Sequence, residues 1–299
     1  MVFESIISPY GAEKRPWLLF FLGAFIASIA LILSLWVFEE HAGLVMVFLT
    51  VIGSLPLFYH TMRYEEHEGL VIKSEKGLLF HHGKALMFFM FYFIGITAAL
   101  TAWYVALPEA TSTMLFSPQV STITGLNQQV TGNTIGALAG KSIEALTGNI
   151  ASTELMTKIF LNNVKVMIFC IIFSFFYGSG AIFILTWNSS VIAAALGNFV
   201  RTRLAMAAAE TGLISAGGYF HVIGLSLLRY SIHGIPEILA YFVAGLGGGI
   251  LSVAIIRKDY KGEAFERLLL DVSDLVMISV FILFVASLLE VYVTPIFFG

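Results

Sequence analysis

The stretch Ser231-Ile232-His233-Gly234-Ile235-Pro236-Glu237-Ile238-Leu239 decides how this chain is divided into membrane spans. It sits between two largely apolar runs, 222–232 and 238–256. A carboxylate at the centre of a bilayer costs roughly 2.5–3.5 kcal/mol on insertion scales, so a Glu kept there needs a partner, a proton or water. His233 and Glu237 are four residues apart. On a helix that spacing gives them one face, where each can partner the other. The same residues also read as punctuation. Gly234 and Pro236 then form a turn, Pro lies in the first turn of a new helix, and Glu237 favours that helix's N-terminus through the dipole. The turn reading predicts two spans where a continuous helix would give one.

Working outward, the whole chain reads as membrane-embedded. Of 299 residues 58% are hydrophobic and only 12% charged, where a globular domain has about 25% charged residues. The mean hydropathy is +0.90. The net charge of −3 offers no basic surface for nucleic acid. The first long apolar run, 17–38, is too long for the core of a signal peptide and is expected to be retained as a helix. Cys170 is the single cysteine; alone it forms no intrachain disulfide, and it is expected to pack as a small apolar residue.

Seven apolar runs are long enough to span, near 17–38, 42–60, 85–107, 158–186, 214–232, 235–256 and 272–294. An eighth piece, 189–200, is too short and is predicted to be a re-entrant or interfacial helix, or a bent continuation of the fourth run. The fold class is thus all-α and polytopic. Lys and Arg set the orientation. Lys14 and Arg15, then Arg63, Lys73, Lys76 and Lys84, then Arg201 and Arg203, then Arg257, Lys258, Lys261 and Arg267 all face one side if seven spans alternate. This places the N-terminus in the cytoplasm and the C-terminus outside. Residues 1–107 form a three-span subdomain and 158–299 a four-span core. Between them lies a polar extracytoplasmic segment, 108–157. Within that segment Ile135, Leu138, Ala139, Ile143 and Leu146 recur at helical spacing, with Asn133 as a cap and Gly148 as a stop.

The polar residues inside the spans are the candidate site. They are His233, Glu237, Glu290, His221, Asn162 and Asn188, since ionisable groups at that depth face a bundle interior or a hydrated cavity. No paired metal-ligand spacing of the HExxH kind and no GxSxG nucleophile motif occurs. Neither a cofactor nor a metal is expected, and no residue is assigned as catalytic. Gly178, Gly180, Gly245 and Gly249 read as close helix packing, the last two as a GxxxG. Such a stripe serves either a homodimer or packing within one chain.

Several of these motifs carry a resemblance. Phe160-Leu161-Asn162-Asn163, Tyr177-Gly178-Ser179-Gly180, Asn188 with Gly197, and His233 to Glu237 with Ala244-Gly245 occur in an order and spacing similar to the stage II sporulation protein M family. Leu289-Glu290-Val291-Tyr292-Val293-Thr294-Pro295 closes the likeness, which covers about 155–295. The resemblance implies a polytopic membrane protein. In spore formers it implies work with partners that degrade septal peptidoglycan. The first three spans and 108–157 look like an archaeal-type extension of that family.

The expected function is that of a non-enzymatic membrane protein. It is either a transporter or conduit, or a membrane component of a cell-envelope complex, with membrane lipid, a second copy or envelope proteins as partners. In this reading His233 and Glu237 gate, bind a cation or relay protons, because His changes charge near neutral pH. The alternative is an intramembrane hydrolase that uses the same residues for metal or acid–base chemistry.

Overall fold

A computed structural model describes residues 16–71, 75–124, 147–177, 180–211, 216–256 and 263–298. Almost all of these are helical, and no strand occurs among them. In chain order the helices are α1 (Trp17–Phe38), α2 (Ala42–Val71), α3 (Glu75–Ala106), α4 (Glu109–Leu115), α5 (Thr147–Tyr177), α6 (Ala181–Thr211), α7 (Ala216–Ile256) and α8 (Glu263–Leu288). A π turn, Leu289–Val293, joins α8 to the short α9, Thr294–Phe298.

Six stretches are long and apolar enough to cross a bilayer. The first, Trp17–Thr61, is a hairpin: α1 and α2 meet at a 3₁₀ turn, Glu39–His41, where Glu39 takes a φ of 20°. The arms pack so closely that a Cβ on Gly53 of α2 would lie 2.8 Å from Cγ2 of Ile26 on α1. The bundle therefore has seven helices of membrane length among the described residues, as the apolar runs predict.

The boundaries differ from the predicted ones in two places. The predicted turn at His233 is absent: α7 runs unbroken for 41 residues, with Pro236 inside it. Pro removes one N–H and clashes with a carbonyl one turn back, but membrane helices tolerate it where neighbouring protein meets the freed groups. In compensation, the single predicted run 158–186 is two helices. α5 ends at Tyr177 and α6 starts at Ala181, and the predicted short piece 189–200 is the middle of this full-length α6. Gly180 sits in the break; a Cβ there would run into the Phe173 carbonyl.

The new boundaries move Arg201. Its Nη2 donates to the carbonyls of Tyr104 and Leu107, both at 2.6 Å, and its guanidinium lies over the Tyr104 ring. Arg201 thus closes the C-terminus of α3, where a cation meets the orphan carbonyls and the negative end of the helix dipole. It stands at the opposite end of α3 from Lys84 and so does not join the basic side that the charge pattern predicts for it and Arg203.

The core is aromatic. Phe89 of α3 stacks on Phe58 of α2 at 4.3 Å and on Phe242 of α7 at 5.5 Å. The Tyr92 hydroxyl, fully buried, is hydrogen-bonded to Ser54. Thr97 of α3 and Ser189 of α6 share a hydrogen bond of 2.7 Å. Such bonds between helices are worth on average about 0.6 kcal/mol in lipid. Helix α7 is the axis: every residue from Tyr241 to Ile250 is buried, as expected of a helix that is apolar all round.

The first part of the segment after α3, residues 108–124, returns to the bundle. Pro108 ends the helical run and leads into α4, and a second helical stretch follows over 117–124. Leu115, Phe116 and Gln119 are fully buried. Gln119 Nε2 donates to Ser190 Oγ of α6 at 3.2 Å and to the Gly43 carbonyl of α2 at 3.4 Å. The predicted amphipathic helix over 135–146 lies outside the described residues. Gly148 stands in the first turn of α5 and does not end a preceding helix.

Helices α1 and α3 touch through glycine. A Cβ on Gly23 would strike the Tyr92 carbonyl oxygen, and one on Gly95 the Phe20 carbonyl oxygen. Gly23→Ala and Gly95→Ala are expected to destabilise the bundle by about 1–3 kcal/mol each through overpacking. Thermal unfolding in detergent checks this against Gly224→Ala, where nothing lies within 4 Å of the added carbon and the midpoint is expected to hold.

Candidate functional site

Two helices that carry ionisable residues meet beside two prolines. In α7, Pro236 withholds a backbone N–H in the turn between His233 and Glu237. Beyond α8, the backbone N–H of Thr294 reaches five residues back to the Leu289 carbonyl, and Pro295 follows. The π turn so formed carries Glu290. Pro295 has no N–H to give, so a carbonyl is released in that turn as well. π turns inside α-helices are frequent at functional sites. Irregular backbone at membrane depth persists only where it is enclosed by protein or lines a hydrated cavity.

The side chains bridge the two irregularities. Thr294 Oγ1 donates to the Leu289 carbonyl at 3.0 Å, which pins the π turn, and lies 3.4 Å from His233 Nδ1. Tyr241, one turn further along α7, donates its hydroxyl to Glu237 Oε1 at 2.6 Å. Glu237 and Glu290 are near enough for their charges to act on each other, and Tyr241 lies within the field of both. Cys170 of α5, wholly buried, approaches Tyr241 from a third helix.

Depth follows from the neighbours. Tyr230 packs on Phe199 at 6.4 Å, half a turn from Arg201, which marks the end of α3. At 1.5 Å per residue, Glu237 lies about 10 Å further into the bundle than Tyr230.

His233, Glu237 and Glu290 are thus brought together, and the other predicted site residues are not. The expected bond between His233 and Glu237 is absent: His233 turns to Thr294 and Glu237 to Tyr241. Proline between them, and a better donor one turn on, explain the difference. His221 is exposed on α7, more than three turns before His233. Asn162 is half-buried on α5. Asn188 donates to the Ile184 carbonyl of its own helix at 2.9 Å. Among the described residues no three His, Cys, Asp or Glu side chains converge as a metal ion requires.

The glycines pack within the chain. A Cβ on Gly245 would lie 2.9 Å from the Ala181 Cβ of α6, and one on Gly248 would lie 2.7 Å from the Ile171 carbonyl of α5. Gly249 is buried. Gly178 lies outside the described residues.

Sequence reasoning missed Tyr241 and Thr294. Both stand four residues after a carboxylate, Tyr241 after Glu237 and Thr294 after Glu290, and that spacing is the signal that finds them.

A family model described as Stage II sporulation protein M matches residues 18–295. The match takes in α1 to α3, beyond the 155–295 that the motifs cover. No curated protein and no solved structure matches the chain.

Loss of one partner should leave the other exposed to desolvation. Tyr241→Phe is expected to cost about 1–3 kcal/mol, because a half-buried carboxylate loses its donor. With Glu237→Gln added, the double variant should lose less than the sum of the two singles. Thermal unfolding of the four proteins in a double-mutant cycle measures that coupling.

Proposed function

The chain belongs to the stage II sporulation protein M family, and on that premise we propose that it is a non-enzymatic multi-pass membrane protein that takes up and releases a proton or monovalent cation at Glu237 and Glu290. The observation that carries this reading is the 3.4 Å approach of Thr294 Oγ1 to His233 Nδ1, which sets the π turn bearing Glu290 against the proline turn bearing Glu237. Two like charges held in a low dielectric repel strongly. A proton or cation between them relieves that repulsion. Tyr241 and Thr294 supply hydroxyl oxygens, and the prolines release backbone carbonyls, all hard oxygen ligands of the kind small cations use. His233 stands beside the π turn, its Nδ1 in contact with Thr294 Oγ1.

Uptake of this kind serves a transporter or conduit. It equally serves a membrane component that gates an envelope complex, which family membership favours. In either role the N-terminus is placed in the cytoplasm, because Lys14, Arg15, Lys84 and the basic residues between α7 and α8 then lie inside. The hydrolase reading has less support: the hydroxyl beside the imidazole, Thr294 Oγ1, gives its proton to the Leu289 carbonyl of its own turn and so is not set up as a nucleophile on His233.

Purified protein in liposomes loaded with a pH-sensitive dye, with sodium or potassium gradients as separate arms, tests the proposal. The intact chain is expected to carry flux above empty liposomes. Glu237→Gln and Glu290→Gln should each cut it by about tenfold or more, a loss of at least about 1.4 kcal/mol. Flux equal to that of empty liposomes, or flux unchanged in both variants while they stay folded, would overturn it.

A further inference from the structure

One face of α7 leads away from the carboxylates. Glu237, Tyr241, Gly245, Gly248 and Ser252 follow one another at spacings of four, four, three and four residues, which keeps them on one side of a helix. At 1.5 Å per residue the line covers about 22 Å. It ends one turn before Ile256, the exposed last residue of α7. Helix α5 lies along it. Cys170 approaches Tyr241. Ser174 stands against Gly245 and Gly248, and the Ile171 carbonyl meets Gly248. Ser252 is buried.

Small residues alone would mean only close packing. Ser174 is not explained that way. A serine inside a helix can return its hydroxyl to the carbonyl one turn back, as Ser279 and Ser287 of α8 do at 2.8 and 2.9 Å. The Ser174 hydroxyl, fully buried, has no hydrogen-bond partner among the described residues. It stands over the bare backbone of α7, where a Cβ on Gly245 would lie 3.6 Å from its Oγ. A buried hydroxyl left unmet costs about 1–3 kcal/mol, and alanine would fill the same place without that cost. The hydroxyl is one turn past Tyr241, which itself donates to Glu237 at 2.6 Å.

We propose that this seam between α5 and α7 carries protons between Glu237 and the end of the bundle where α7 finishes, with Ser174 as its middle station. The proposal rests on the carboxylate reading above and selects the proton over sodium or potassium as the species exchanged. Tyr241 gives its hydroxyl proton to the Glu237 carboxylate and takes another from water held at Ser174. Ser174 and Ser252 each pass one proton on and gain one, so a single proton moves from water at the α7 end to the carboxylate, and the reverse sequence releases it. Water bridges the turn between stations. A hard cation needs several oxygen ligands at every stop, and the seam offers scarcely one hydroxyl per turn.

Proton flux through the full chain in liposomes, read beside sodium flux, potassium flux and thermal unfolding, tests the route. The intact chain is expected to pass protons and neither metal ion. Ser174→Ala should lower proton flux by about tenfold, or about 1.4 kcal/mol, while its unfolding midpoint holds or rises, a combination that a packing role does not produce. Ser252→Ala should lower flux in part, and it keeps the test valid if Ser174→Ala fails to fold. Undiminished proton flux in every variant that folds would overturn the route and leave the carboxylate reading standing. Sodium or potassium flux equal to proton flux would overturn the choice of the proton. An intact chain without any flux would overturn the carboxylate reading and the route together.

Discussion

A group released from hydrogen bonding inside a bilayer has no water to turn to, and that constraint shapes the part of this molecule that carries its chemistry. Pro236 and Pro295 each break the regular bonding of a helix. In a soluble protein such breaks open to solvent. Here a side-chain contact between Thr294 and His233 joins the two turns. Thr294 pins the π turn and reaches His233; Tyr241 secures Glu237. The polar residues that the chain can least easily accommodate in hydrocarbon are therefore collected in one place, and the aromatic layer of Phe58, Phe89 and Phe242 closes the bundle beside them.

The rest of the fold is arranged to hold α7 in place. Its central residues, Tyr241 to Ile250, are buried without interruption; Gly248 lets the α5 backbone approach at Ile171, and Gly245 admits the Ala181 side chain of α6. Small residues at such contacts replace the hydrophobic drive that is missing between helices in lipid. The same economy is visible between α1 and α3 at Gly23 and Gly95. Helix α4 and the 117–124 stretch fill the remaining gap, with Gln119 bonded to both α2 and α6.

Much of the fold was legible in the sequence, because long apolar runs have one physical reading in a chain of this composition. What escaped was where runs join and divide. Gly234 and Pro236 read as a turn by the rules of soluble helices, yet α7 passes through them, since neighbours in a membrane bundle satisfy what proline releases. The true break, between the end of α5 at Tyr177 and the start of α6 at Ala181, was hidden inside an uninterrupted apolar run, where glycine reads equally as a packing residue. At the site, His233, Glu237 and Glu290 announced themselves by the cost of placing charge in hydrocarbon. Tyr241 and Thr294 are common in spans and carried no such signal. Gln119 was masked by the polar composition of its segment. Asn162, Asn188 and His221 were selected by the same cost argument, and their distance from the cluster shows that polarity within a span does not by itself place a residue at a site.

The central claim is that the proline-disturbed turns of α7 and of the chain beyond α8 face each other inside the membrane. Cysteines at His233 and Thr294, in a Cys170→Ser background, test it directly with a short thiol cross-linker in native membranes. Rapid intramolecular cross-linking, comparable to that of a Ser54→Cys/Tyr92→Cys pair in the core, is the predicted result. Absence of the 233–294 product while the core pair cross-links would contradict the account.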